Sequence, residues 1–175
     1  MTRRRVKIFV LLLVFLALQV SLFAHLRPFG VAPDILLVAA LVGGVVGGPD
    51  LGARNGFAAG LLLDLVIPGA FGLAAGVYAT FGFSVGFLSR SIDPEDTRVL
   101  ALLVGFTAFL ATATYGLALG VLGSEHFVDV NLLWVATGVG VFSILLSNPV
   151  ARAYRWAVVD PRDVSRQEIA RAAVN

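Results

Sequence analysis

The sequence contains no cysteine, one lysine and one methionine, and only 14% of its 175 residues are charged. Without cysteine there is no disulfide, no thiolate metal ligand and no cysteine nucleophile. A soluble domain carries about 25% charged residues, so this chain lacks roughly half of the solvated surface that a water-soluble fold needs. Its 58% hydrophobic content and mean hydropathy of +0.92 place it in a membrane. At about 20 apolar residues per spanning helix, a chain of this length holds roughly six or seven helices with short connections. No room remains for a separate soluble enzyme domain.

The apolar runs set the organisation. Arg3, Arg4, Arg5 and Lys7 precede an uncharged stretch at residues 8–24. A basic start and an apolar run also describe a signal peptide, but the run is long for an h-region, no small-x-small pair follows, and the remainder is itself apolar. A retained first helix is expected. Pro33-Asp34 opens a second run at 35–48, Gly47-Gly48-Pro49-Asp50 breaks it, and a third run covers 55–67. Each is about 20 Å of helix, too short to cross a hydrocarbon core of about 30 Å unaided. These two are either short glycine-rich spans or the arms of a re-entrant hairpin. Pro68-Gly69 turns the chain into a fourth run at 70–88. Asp93-Pro94-Glu95-Asp96 has the order of an N-cap, a first-position proline and first-turn acids, which predicts a fifth helix from Pro94 to Leu122. Glu125, His126 and Asp129 lie in a second polar loop before a sixth run beginning at Leu132. The predicted architecture is an all-α polytopic membrane protein with spans near 8–24, 35–48, 52–67, 70–88, 94–122 and 132–150. A single membrane domain thus covers 1–160. A basic tail, 161–175, follows, in which Asp160-Pro161-Arg162-Asp163 repeats the helix-start order.

Orientation follows from the cations. With six segments, twelve of the thirteen Lys and Arg residues fall on one side and only Arg27 on the other. The positive-inside rule then puts both termini in the cytoplasm. Arg152, Tyr154, Arg155 and Trp156, at the end of the sixth run, are expected to anchor it at the headgroup level.

Ionisable groups inside a membrane are costly, which makes each a functional candidate. Asp64, within Gly60-Leu61-Leu62-Leu63-Asp64-Leu65, is the clearest. It is read either as a structural carboxylate satisfied by backbone N–H groups or a neighbouring helix, or as a contact for a ligand, ion or partner. Gly52, Gly56 and Gly60 precede it at intervals of four, a nearly bare stripe that lets another helix approach closely. Pairs such as Gly43 and Gly47, Gly72 and Gly76, Gly82 and Gly86, and Gly116 and Gly120 have the same spacing. Catalytic readings find little support. His25 and His126 fall in loops, no HExxH or paired-His spacing offers a metal site, and neither a nucleophile elbow nor a phosphate-cradling loop occurs. No catalytic residue, metal, cofactor or nucleic-acid partner is expected.

Assembled, these features resemble the rod shape-determining protein MreD family. The resemblance rests on Pro33-Asp34-Ile35-Leu36-Leu37, on Gly56-x3-Gly60-Leu61-Leu62-Leu63-Asp64-Leu65, and on Pro68-Gly69, Phe71-Gly72-Leu73, Tyr78 and Gly82. It extends over about residues 5–160 in length, order of spans and orientation, with the motif confined to about 33–86. It implies a non-catalytic component of the bacterial cell-wall elongation (Rod) complex in the cytoplasmic membrane. Such a component binds the bitopic protein MreC and links MreB filaments, indirectly, to RodA and its class B penicillin-binding protein. The family fold looks like the substrate-binding component of energy-coupling-factor transporters. The basic tail after Arg152 is longer than the family pattern.

Two function classes follow. In the first, glycine stripes and the Pro33, Asp34 and Asp64 region dock MreC and other membrane partners. In the second, the chain is a vitamin-type substrate-binding transporter component using Asp64, Asp34 or the 125–129 loop, since discontinuous short helices are where transporters hold substrates. The apolar runs offer that ligand mainly hydroxyls: Thr80, Ser84, Thr107, Thr112, Thr114 and Tyr115. A membrane-embedded enzyme would need an acid–base or nucleophile pair that Asp64 alone does not supply.

Overall fold

The computed structural model describes residues 2–23, 30–67, 70–91, 97–122 and 130–158. Helices α1 (Thr2–Leu18), α2 (Ile35–Gly47), α3 (Pro49–Val66), α4 (Leu73–Leu88), α5 (Thr97–Val121) and α6 (Val130–Val158) make up the described fold, without strands among those residues. A π-helical turn, Gln19–Phe23, extends α1, and a 3-10 turn, Ser89–Ser91, extends α4.

Helix α2 is the axis of the molecule. Its thirteen residues contain no polar side chain, and a helix apolar on every face belongs inside. Leu36 to Val42 are accordingly almost completely buried, and α2 touches each of the other five helices. The break seen in the sequence at Gly47-Gly48-Pro49 is a corner one residue long. Gly48 adopts φ +84°, a left-handed conformation available to glycine, and donates its N–H to Gly44 at 2.8 Å. Pro49 then begins α3 at a position where its missing N–H costs nothing.

Helix α3 is longer than its apolar run. Its first two turns contain Asp50, Arg54 and Asn55, which hydropathy alone places near a loop, while Asp50 lies favourably at the positive N-terminal end of the helix dipole. The helix therefore has eighteen residues, about 27 Å. It runs antiparallel to α4 in the closest helix pairing of the fold. A Cβ built on Gly52, Gly56 or Gly60 would lie 2.1 to 2.4 Å from the carbonyl oxygens of Gly82, Tyr78 and Ala74 respectively, so the two backbones are in direct contact. Helices α5 and α6 pair in the same antiparallel manner, Gly105 against Gly140 and Ile144, and Gly116 against Leu132.

Helix α1 starts at Thr2, and through Ile8, Leu12 and Phe15 it enters the same core as α2. Helix α6 continues through Pro149 to Val158, beyond the end of its apolar run. Two helices, α5 and α6, are long and apolar enough to cross a membrane; α2 and α4 are shorter apolar helices. Expectations at His25, Arg27, Pro28, Pro68-Gly69, the 93–96 helix start, Glu125, His126, Asp129 and the 161–175 tail lie outside the described residues.

Candidate functional site

Helices α2 and α4 run parallel, so their N-termini, with the unpaired N–H groups and positive dipole ends, lie at the same end of the bundle. An aspartate answers each. Asp34 is the N-cap of its own helix: Oδ1 accepts the Leu37 N–H at 3.0 Å. The N-cap of α4 is Gly72, whose φ of +89° excludes most side chains, and which makes no cap with a side chain of its own. Asp64 supplies the cap from the last turn of α3. Its carboxylate accepts N–H groups from Gly72 at 3.0 Å, Ala74 at 3.3 Å and Ala75 at 3.1 Å. Of the two readings of Asp64, the backbone-satisfied carboxylate matches this geometry.

The two caps are joined. Tyr78, one turn into α4 and 4% exposed, donates its hydroxyl to Asp34 Oδ2. Gln19, in the π-helical turn after α1, closes the other side: its Nε2 donates to the Pro33 carbonyl at 3.0 Å and its Oε1 accepts the Ile35 N–H at 2.9 Å. Four polar side chains thereby fasten α1, α2, α3 and α4 at one end. Gln19 was missed by sequence reasoning, although it is the single amide in the run 8–24. The π-helical turn that aims it is a tertiary feature with no separate sequence signal.

Beside this cluster is a cavity of about 610 Å³, lined by Gln19, Asp34, Asp64, Tyr78, Thr112 and Tyr115 together with apolar residues of α2, α3, α5 and α6. Of the hydroxyls expected to serve a ligand, Thr80, Ser84, Thr107 and Thr114 bond back to carbonyls one turn earlier in their own helices. Thr112 and Tyr115 face the cavity. No group of three His, Cys, Asp or Glu residues that could hold a metal occurs among the described residues.

The glycine stripe Gly52, Gly56, Gly60 lies against α4 of the same chain, with all three buried. Pro33 is buried next to Asp34. At the opposite end of the bundle, Arg152, Arg155 and Trp156 are exposed, and the Lys7 ammonium stands 5.1 Å from the centre of the Trp156 ring. Tyr154, expected to anchor the helix with them, faces inward. It is fully buried, filling the space left by Gly43, because its position on α6 faces α2 while its neighbours face outward.

Neither the curated proteins nor the solved structures compared with the chain gave a match. The sequence model of the rod shape-determining protein MreD family matches residues 2–155. That span includes α1 to α5, most of α6, both capping aspartates and the glycine stripe. The chain therefore belongs to the rod shape-determining protein MreD family, membrane proteins that act as structural components in determining rod shape.

Proposed function

We propose that the chain is a six-span, non-catalytic scaffold of the bacterial cell-wall elongation complex, with both termini in the cytoplasm. In this role it binds MreC and through it connects MreB filaments to the peptidoglycan-synthesising RodA and its class B penicillin-binding protein. The observation that carries the reading is the engagement of both aspartates at the α2 and α4 N-termini. Asp34 and Asp64 hold helices together through the bonds of Leu37, Tyr78, Gly72, Ala74 and Ala75. The side chains best suited to chemistry are thus structural, and what the molecule offers a partner is its apolar outer surface. A groove of about 380 Å³ along α6, formed by Val31, Trp134, Thr137, Gly138, Val141, Phe142 and Leu145, suits a single transmembrane helix such as that of a bitopic protein. Val141 and Leu145 are well exposed on it. Co-purification tests this. MreC is expected to be recovered with the wild-type chain and lost when Val141→Trp and Leu145→Trp fill the groove without lowering thermal stability. Failure of the wild-type chain to recover MreC overturns the reading.

The cavity next to Asp64 favours a second reading, substrate binding of the transporter type. Its volume lies in the range of small-molecule sites, about 300 to 1,000 Å³. Against it, the Asp34, Asp64, Tyr78 and Gln19 groups along its wall are already hydrogen-bonded within the protein. Thr112 and Tyr115 are a small set for a polar substrate. Thermal stabilisation by a vitamin-type compound, abolished by Tyr115→Phe, would favour this reading over the scaffold.

A further inference from the structure

At the end of the bundle opposite the capping aspartates, α1 packs on α2 and α6 and only slightly on α3. The gap between α1 and α3 is a cleft of about 600 Å³. Arg4 and Arg5 of α1 and Arg54 of α3 line its mouth, with Asp50 as the one acid. All four are exposed, and no ion pair joins them among the described residues. Farther along the same two helices the walls are apolar, with Ile8, Phe9 and Leu12 on one side and Ala58 on the other, while Leu51 lies level with Asp50. The inner wall includes Asn55, which is 5% exposed and whose Nδ2 borders Gly43 together with the Tyr154 ring.

We propose that this cleft holds the phosphodiester of an anionic phospholipid at the cytoplasmic leaflet, with the acyl chains lying along Phe9, Leu12 and Ala58. Three observations select this ligand. The surplus of guanidinium groups over carboxylates calls for an anion, and guanidinium is the side chain best matched to phosphate. The change from cationic mouth to apolar wall follows the direction of the helices, as headgroup and acyl chain do in a leaflet; a soluble anion has no use for the apolar part. The cleft also lies at the end where the chain's cations are concentrated, and anionic lipid contributes attraction of about 1 kcal/mol per Lys or Arg near a membrane surface.

The experiment uses the full chain in neutral detergent, with added dioleoylphosphatidylglycerol, dioleoylphosphatidylcholine or inorganic phosphate, read by native mass spectrometry and thermal unfolding. Phosphatidylglycerol is expected to remain bound and to raise the melting temperature, and phosphatidylcholine to do neither. Arg54→Gln should weaken retention about fivefold, and Arg5→Gln with Arg54→Gln about twenty-five-fold, from the same per-residue attraction. Melting in phosphatidylcholine should be unchanged, since these side chains are exposed. Arg90→Gln removes one charge from the same end outside the cleft and should leave retention intact. Equal retention of the two lipids by the wild-type chain overturns the proposal. So does an equal loss from Arg90→Gln and Arg54→Gln, which would indicate diffuse surface charge, or full stabilisation by inorganic phosphate alone, which would indicate a free-anion site.

Discussion

Replacing Asp64 by Asn preserves the outline of the side chain but removes the charge that three N–H groups and the α4 dipole face. Hydrogen bonds to a charged group contribute about 1.5 to 3 kcal/mol each, and an amide oxygen retains part of them, so Asp64→Asn is expected to cost about 2 kcal/mol. Asp64→Leu, which retains none, should cost more, and unfolding titrations in mixed detergent measure both. Tyr78→Phe leaves Asp34 Oδ2 without its donor while the ring still fills its site; a loss of about 1.5 to 3 kcal/mol is expected in the same titration. If Tyr78→Phe is silent, the link between the two caps is not structural. The aspartates themselves were legible from the sequence, because a carboxylate within or at the start of an apolar run is conspicuous. Their partners were less so. Backbone N–H groups of α4 carry no signature, and Tyr78 and Gln19 reach Asp34 and its neighbours only once three helices are in place.

Between elements, the same residue type has opposite effects according to what it faces. Gly56→Ala gains helix propensity of about 1 kcal/mol, yet its Cβ would stand 2.2 Å from the Tyr78 carbonyl oxygen, so α3 and α4 must separate. Overpacking of this kind costs about 1 to 3 kcal/mol or more, and a net loss of stability is expected. Gly76, in α4, meets nothing within 4 Å, so Gly76→Ala keeps the propensity gain and should stabilise the protein by up to about 1 kcal/mol. Melting the two variants side by side separates close packing from mere glycine content. The stripe of four-residue spacing was readable in the sequence; that α4 of the same chain covers it was not, because spacing tells how closely a helix can approach and nothing about whose helix it is. The start of α3 was hidden for a related reason. Asp50, Arg54 and Asn55 lower the hydropathy there, although they lie on a continuous helix.

For the whole molecule, the decisive quantity is the level of the α2–α3 corner along the bundle. The twelve-to-one division of cations expected from six segments is the same whether residues 35–67 cross the membrane twice or dip and return. Packing supports the proposed two crossings. A Cβ on Gly86, in the last turn of α4, would lie 2.8 Å from the Gly48 carbonyl carbon and 2.7 Å from the Pro49 nitrogen, which sets the corner level with the end of α4 near Arg90. Asp34 and Asp64 lie at the other end, against the first turn of α4. A re-entrant hairpin would keep the corner near mid-membrane, and with it the end of α4, leaving the exposed Arg90 in hydrocarbon at high cost. Asp50 is exposed beside the corner, and the absence of native cysteine gives a clean background for an Asp50→Cys variant. A membrane-impermeant thiol reagent is expected to label that cysteine in inverted membrane vesicles and not in intact spheroplasts. Labelling from neither side would place the corner inside the bilayer and return α2 and α3 to a hairpin. Labelling from the outside alone would reverse the orientation, and with it the leaflet from which the Arg4, Arg5 and Arg54 cleft could draw a lipid.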